Sequence, residues 1–96
     1  MENTLEELRK EIDEIDKNIM ENFEKRMKIV SKIADFKKKA GLKTYDPNRE
    51  KLVIEKNLKH IKDPSLLKYA EKLLQYEMDL SKMYQQEINQ LDKKKY

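Results

Sequence analysis

Residues 4–39 read TLEELRKEIDEIDKNIMENFEKRMKIVSKIADFKKK, 36 residues with no Pro and no Gly. Thr4-Leu5-Glu6-Glu7 has the pattern of a capping box, in which a Thr hydroxyl and a Glu carboxylate each take one of the free N–H groups at a helix start. Apolar residues then recur at Leu5, Leu8, Ile12, Ile15 and Ile19, in steps of 3, 4, 3 and 4, and Phe23, Val30 and Ile33 continue the stripe. Lys37, Lys38 and Lys39 fill the last turn, where cations suit the helix dipole, and Gly41 is the C-cap candidate. The stretch therefore predicts one uninterrupted helix. At 1.5 Å per residue it is roughly 54 Å long. A compact chain of this size is about 32 Å across. The apolar stripe would overhang its own domain and stay wet, and a second copy is the simplest cover. The expected assembly is an intertwined homodimer with the long helices antiparallel. A plain coiled-coil hairpin is the alternative.

Outward from this helix, the chain breaks at residues 40–45. Asp46-Pro47 is an N-cap followed by Pro at the first helical position, and it opens a second helix over 47–61. Asp63-Pro64 repeats the signal and opens a third over 64–91, leaving a frayed basic tail at 92–96. The reading is all-α, one domain over 1–96. A single Gly and two Pro, against 43% charged residues, exclude a turn-rich β sandwich or barrel. With no Cys there is no disulfide, thiolate metal site or cysteine nucleophile, which fits a reducing compartment. No apolar run reaches the roughly 18 residues of a membrane span, and the start, MENTLEELRKEID, has no apolar core of a secretory signal. A cytoplasmic protein that does not engage a membrane is expected. The net charge of +3 argues only weakly for nucleic acid.

Polar residues on the apolar stripes are the informative feature. Along the first helix the series Ile19, Phe23, Arg26, Val30, Ile33, Lys37 puts two cations on the core-facing side, and Arg9 flanks Leu8 and Ile12. A cation withdrawn from water must be paired or it costs several kcal/mol. On the second helix Glu50 heads the face of Ile54, Asn57, Leu58 and Ile61, beside Arg49. On the third, Leu67, Ala70, Leu74, Met78, Ser81, Gln85 and Ile88 share one face. Each has a bland reading: a snorkelling Arg26, a dipole-compensating Lys37, a surface Arg49–Glu50 pair, a packed Ser81 or Gln85. Their coincidence on inward faces is what those readings explain poorly. One Glu does not neutralise three or four cations, and the deficit points to a small organic dianion enclosed by helices.

Other chemistries are thinly supplied. His60 is the only His and lies near a helix end, where capping explains it. There is no HExxH, EF-hand loop or phosphate-binding Gly loop. An enzyme built from these residues would act by fixed charge and enforced geometry.

The chain resembles the all-helical chorismate mutases over roughly residues 5–88. The matching segments are Leu8-Arg9-Lys10-Glu11-Ile12-Asp13 with Ile15-Asp16, then Arg26 and Lys37, then Asp46-Pro47-Asn48-Arg49-Glu50, and finally Ser81 with Gln85. The resemblance implies an intertwined dimer that rearranges chorismate to prephenate, an isomerase of aromatic amino acid biosynthesis, without metal or cofactor. It implies that Arg26 and Lys37 of one subunit, with Arg9 from the other, bind the two substrate carboxylates. Lys37 and Gln85 would face the ether oxygen. Glu50 and the backbone at Asp46 would hold the ring hydroxyl, Arg49 would line the site and support Glu50, and Ser81 would help bind a carboxylate. Two rivals stay open: an isochorismate pyruvate lyase of the same fold, and a non-enzymatic helical adaptor or weak nucleic-acid binder drawing on the pI near 9 and on Lys93-Lys94-Lys95. A free-standing mutase without an effector domain is expected, with association with another shikimate-pathway enzyme left open.

Overall fold

The structure is a computed structural model that describes residues 4–94, with side chains through residue 90. Three α-helices and one short 3₁₀ turn account for it: α1 is Leu5–Ala40, α2 is Pro47–Leu58, the 3₁₀ turn is Pro64–Leu66 and α3 is Leu67–Lys94. The caps are those the sequence announces. Thr4 Oγ1 accepts from Glu7 N–H at 3.1 Å while the Glu7 carboxylate accepts from Thr4 N–H at 3.2 Å. Gly41 ends α1 at φ 69°, a left-handed conformation that Gly adopts without strain, and Leu42 N–H bonds back to the Lys37 carbonyl at 2.8 Å. Asp46 caps α2 through Arg49 N–H at 3.1 Å.

Three boundaries differ from expectation by more than one residue. The second helix ends at Leu58, not at residue 61, and its last turn tightens through His60 N–H to Asn57 and Ile61 N–H to Leu58. Pro64 keeps the preceding Asp63 out of helical geometry, and Asp63 sits at φ −92°, ψ 108°. The third segment also enters through a 3₁₀ turn before α3 begins at Leu67. The basic tail placed at 92–96 starts as continued helix to Lys94; its side chains, and residues 95–96, lie outside the described residues.

The packing order puts α3 against both α1 and α2. Grooves and bonds pair Ile19 with Leu73 and Arg26 with Ser81, so α1 and α3 run parallel. Glu50 meets Gln75 and Lys82 while Leu58 lies near Glu71, so α2 returns antiparallel to α3. The buried apolar side chains among the described residues are Val30, Ala34 and Met78, a small core concentrated where α1 and α3 meet. The molecule is long, 62 × 28 × 14 Å, with a radius of gyration of 17.4 Å. That exceeds the roughly 12 to 13 Å of a compact chain this size. The excess is the front of α1. Leu5, Leu8, Ile12 and Ile15 are 42–63% exposed along this arm, and Ile19, at the edge of the groove with α3, is still 51% exposed. None of the described helices is long and apolar enough to cross a membrane.

Candidate functional site

The inward polar residues meet in one cavity of about 290 Å³ between the three helices. From α1 come Arg26, Val30, Ile33 and Lys37; Asp46, Arg49, Glu50 and Val53 come from the start of α2, and Met78, Ser81, Lys82 and Gln85 from α3. Helical spacing explains the convergence. Arg26 and Lys37 are three turns apart on one face, and Ser81 and Gln85 are one turn apart on the facing helix.

Each polar group is held from a different direction. The Arg26 guanidinium donates to Ser81 Oγ at 2.5 Å and lies 3.8 Å from the Glu77 carboxylate. Ser81 in turn donates to the Glu77 carbonyl at 2.9 Å, the usual bond of a helical Ser to the preceding turn. Lys37 Nζ donates to the Thr44 carbonyl at 2.9 Å, which ties the end of α1 to the loop that leads into α2. Ser81 and Gln85 are buried, 7% and 6% exposed, as their positions on the stripe require. Gln85 Oε1 is buried and has no hydrogen-bond partner among the described residues. Such an atom is costly in a dry site.

Glu50 is the anchor of the acidic side. Its carboxylate is 3.1 Å from Lys82 Nζ and accepts from Gln75 Nε2 at 3.3 Å. Asp79 closes the cluster, 3.3 Å from Lys82 and 3.1 Å from Gln75 Nε2. The Lys82 ammonium also lies over the Tyr45 ring, 4.7 Å from its centroid. The hydrogen bond to Glu50 holds Lys82 above the usual lysine range; partial burial opposes this and Asp79 reinforces it. Sequence reasoning named Glu50 but expected support from Arg49. The structure gives that role to Lys82 and Gln75, and Arg49 lines the cavity with an exposed side chain. Lys82 carries no signal on the stripe, because it lies one residue beyond Ser81 and so about 100° around the helix.

Arg9 does not belong to this cavity within its own chain. It is exposed on the α1 arm, 17 residues before Arg26, so about 25 Å away along the helix axis. His60 is likewise exposed, in the turn after α2. Asn57, polar on the inner face of α2, is satisfied locally by donating to the Val53 carbonyl at 2.8 Å. The lining thus holds four cations, Arg26, Lys37, Arg49 and Lys82, against two carboxylates, Asp46 and Glu50. It can take a small dianion, with a neutral amide and a hydroxyl supplying direction.

Comparisons with known proteins agree with this chemistry. A curated chorismate mutase from Methanocaldococcus jannaschii is 30% identical over 95 residues, covering 94% of this chain and 96% of the relative. A bifunctional chorismate mutase/prephenate dehydratase from Aquifex aeolicus is 44% identical over 55 residues, covering 57% of this chain and 15% of that longer protein. A comparison with solved structures found no significant match. The family model for chorismate mutase type II matches residues 8–86, which span every element that lines the cavity, and the chain belongs to that family.

Proposed function

We propose that the three-helix cavity binds chorismate and rearranges it to prephenate, and that two copies of the chain form each site together. The observation that carries the reading is the convergence of Arg26, Lys37, Ser81, Gln85 and Glu50 on one cavity whose lining has an excess of positive charge. Chorismate is a dianion that must hold a compact diaxial shape before its bonds reorganise. Arg26 and Lys37 bind its carboxylates, with Ser81 beside Arg26, and fixing that conformer lowers the barrier by orientation. As the ether C–O bond breaks, negative charge gathers on its oxygen. The Lys37 ammonium and the Gln85 amide, aimed at that oxygen, stabilise the transition state more than the ground state. Glu50 and the backbone at Asp46 hold the ring hydroxyl. No step requires a nucleophile, a metal or a proton transfer.

The second copy follows from the α1 arm. Its apolar stripe is uncovered, and Arg9 on it is too far from its own Arg26 to serve the same site. Antiparallel pairing of two α1 helices buries the stripe and brings Arg9 of each to the cavity of the other. The absence of cysteine fits a cytoplasmic setting. The Aquifex aeolicus relative joins the mutase to a prephenate dehydratase in one chain, which supports association of this chain with another enzyme of the same pathway.

A continuous ultraviolet assay with chorismate and with isochorismate, together with the solution mass, tests the reading. Prephenate from chorismate, by a species of twice the chain mass, is expected. Salicylate from isochorismate alone would reassign the site to a lyase. Turnover of neither, with salt-dependent binding to nucleic acid, would remove the enzymatic reading.

A further inference from the structure

We propose that Lys82 is a positioning residue for the rearrangement: with Gln75 it clamps the Glu50 carboxylate in the orientation that receives the substrate ring hydroxyl, and Tyr45 seats the clamp. The inference rests on the reading of Glu50 above. A Glu side chain has three rotatable bonds, and at the start of α2 it could swing toward solvent or back toward the cations of the cavity. Here each carboxylate oxygen has its own restraint from α3. Gln75 Nε2 donates to Oε1 at 3.3 Å and Lys82 Nζ lies 3.1 Å from Oε2. Every carboxylate oxygen has a second acceptor direction. Both oxygens of Glu50 therefore stay able to accept from a hydroxyl in the cavity while their positions are fixed.

The clamp is itself braced. Asp79 bonds both Gln75, at 3.1 Å, and Lys82, at 3.3 Å, so the four side chains form a closed ring of alternating donors and acceptors. Tyr45, from the loop between α1 and α2, lies on the Lys82 ammonium at 4.7 Å. The same loop is tied to α1 by Lys37 through the Thr44 carbonyl. Loop, α2 and α3 are thereby fixed around one acceptor. Pairing with Lys82 also offsets the attraction of the Glu50 carboxylate for Arg26 and Lys37, leaving those cations for the substrate. A lysine serving only surface solubility would not be three-quarters covered while meeting two carboxylates and an aromatic ring.

A double-mutant cycle tests this, with kcat and KM measured for wild type, Lys82→Met, Glu50→Gln and the double variant, and with fold and mass checked for each. Lys82→Met is expected to lower kcat/KM about 10- to 100-fold, mostly in kcat, the cost of a misplaced orienting group. Lys82→Arg is expected to recover most of that loss. In the Glu50→Gln background Lys82→Met is expected to cost almost nothing further, because its target is gone. Equal cost in both backgrounds would overturn the proposal, since Lys82 would then act on the substrate or on the fold directly. Wild-type kinetics for Lys82→Met would overturn it as well. Failure of the underlying reading looks different: Glu50→Gln alone would then keep wild-type activity. Should Lys82→Met not fold, Tyr45→Leu, at an exposed position, replaces it in the same cycle. A smaller loss that vanishes with Glu50→Gln is expected, and a loss independent of Glu50 would contradict the clamp.

Discussion

In the front half of α1, Leu5, Leu8, Ile12, Ile15 and Ile19 lie open to solvent; in the rear half, Val30 and Ala34 are buried against α3, and Arg26 and Lys37 reach into a cavity. Both halves carry the same 3–4 periodicity on one continuous helix. They differ in what is opposite them. Because α3 runs parallel to α1 and lines a groove with it from Ile19 onward, it covers only the rear half. Apolar periodicity thus marks a face that must be covered, without saying by which chain. The rear half is a site wall. In the proposed dimer the front half is the interface, and it would deliver Arg9 to a distant site.

The comparison breaks most visibly if the front half is disabled. The double variant Ile12→Glu with Ile15→Glu places charge on the bare stripe, where it must be desolvated on pairing. Solution mass is expected to drop to that of one chain, and chorismate turnover to fall to background, because neither cavity then receives Arg9. Lys37→Ala attacks the rear half alone. Its kcat is expected to fall by about 10²- to 10³-fold, the cost of losing a donor aimed at developing charge. Its mass should match wild type; a Lys37→Ala protein that falls apart would mean that the two halves are not separable. Gln85→Glu is the mildest test and sharpens the comparison within the rear wall. At neutral pH the new carboxylate repels the ether oxygen, whereas its protonated form can donate as the amide does. Activity is therefore expected to be low at neutral pH and to rise as pH falls through the carboxyl range. A flat pH profile would displace Gln85 from the ether oxygen.

How much was legible in the sequence follows from the same contrast. The helices, their caps and the inward positions of Arg26, Lys37, Glu50, Ser81 and Gln85 are local or periodic properties, and a single stripe reports them. The overhang of α1 was legible too, from rise per residue against domain size. The end of α2 was not, because Ile61 keeps the apolar spacing of Ile54 and Leu58 while the chain leaves the helix through a tighter turn ahead of Asp63-Pro64. Lys82, Gln75 and Tyr45 were not legible either. They lie off the stripes, on α3 and on a loop, and gain meaning only when α2 places Glu50 among them. A sequence with so many Lys residues gives no reason to single out one.

Sharing of each cavity between two copies is tested most directly by subunit mixing. Arg9→Ala and Lys37→Ala, each nearly inactive alone, are unfolded together, refolded and assayed. If Arg9 serves the partner's cavity, a mixed dimer holds one intact site and one doubly altered site, and random pairing restores about a quarter of wild-type activity. Activity no greater than the sum of the two separate variants would contradict the account, since Arg9 and Lys37 would then belong to the same chain's site or to no common site at all.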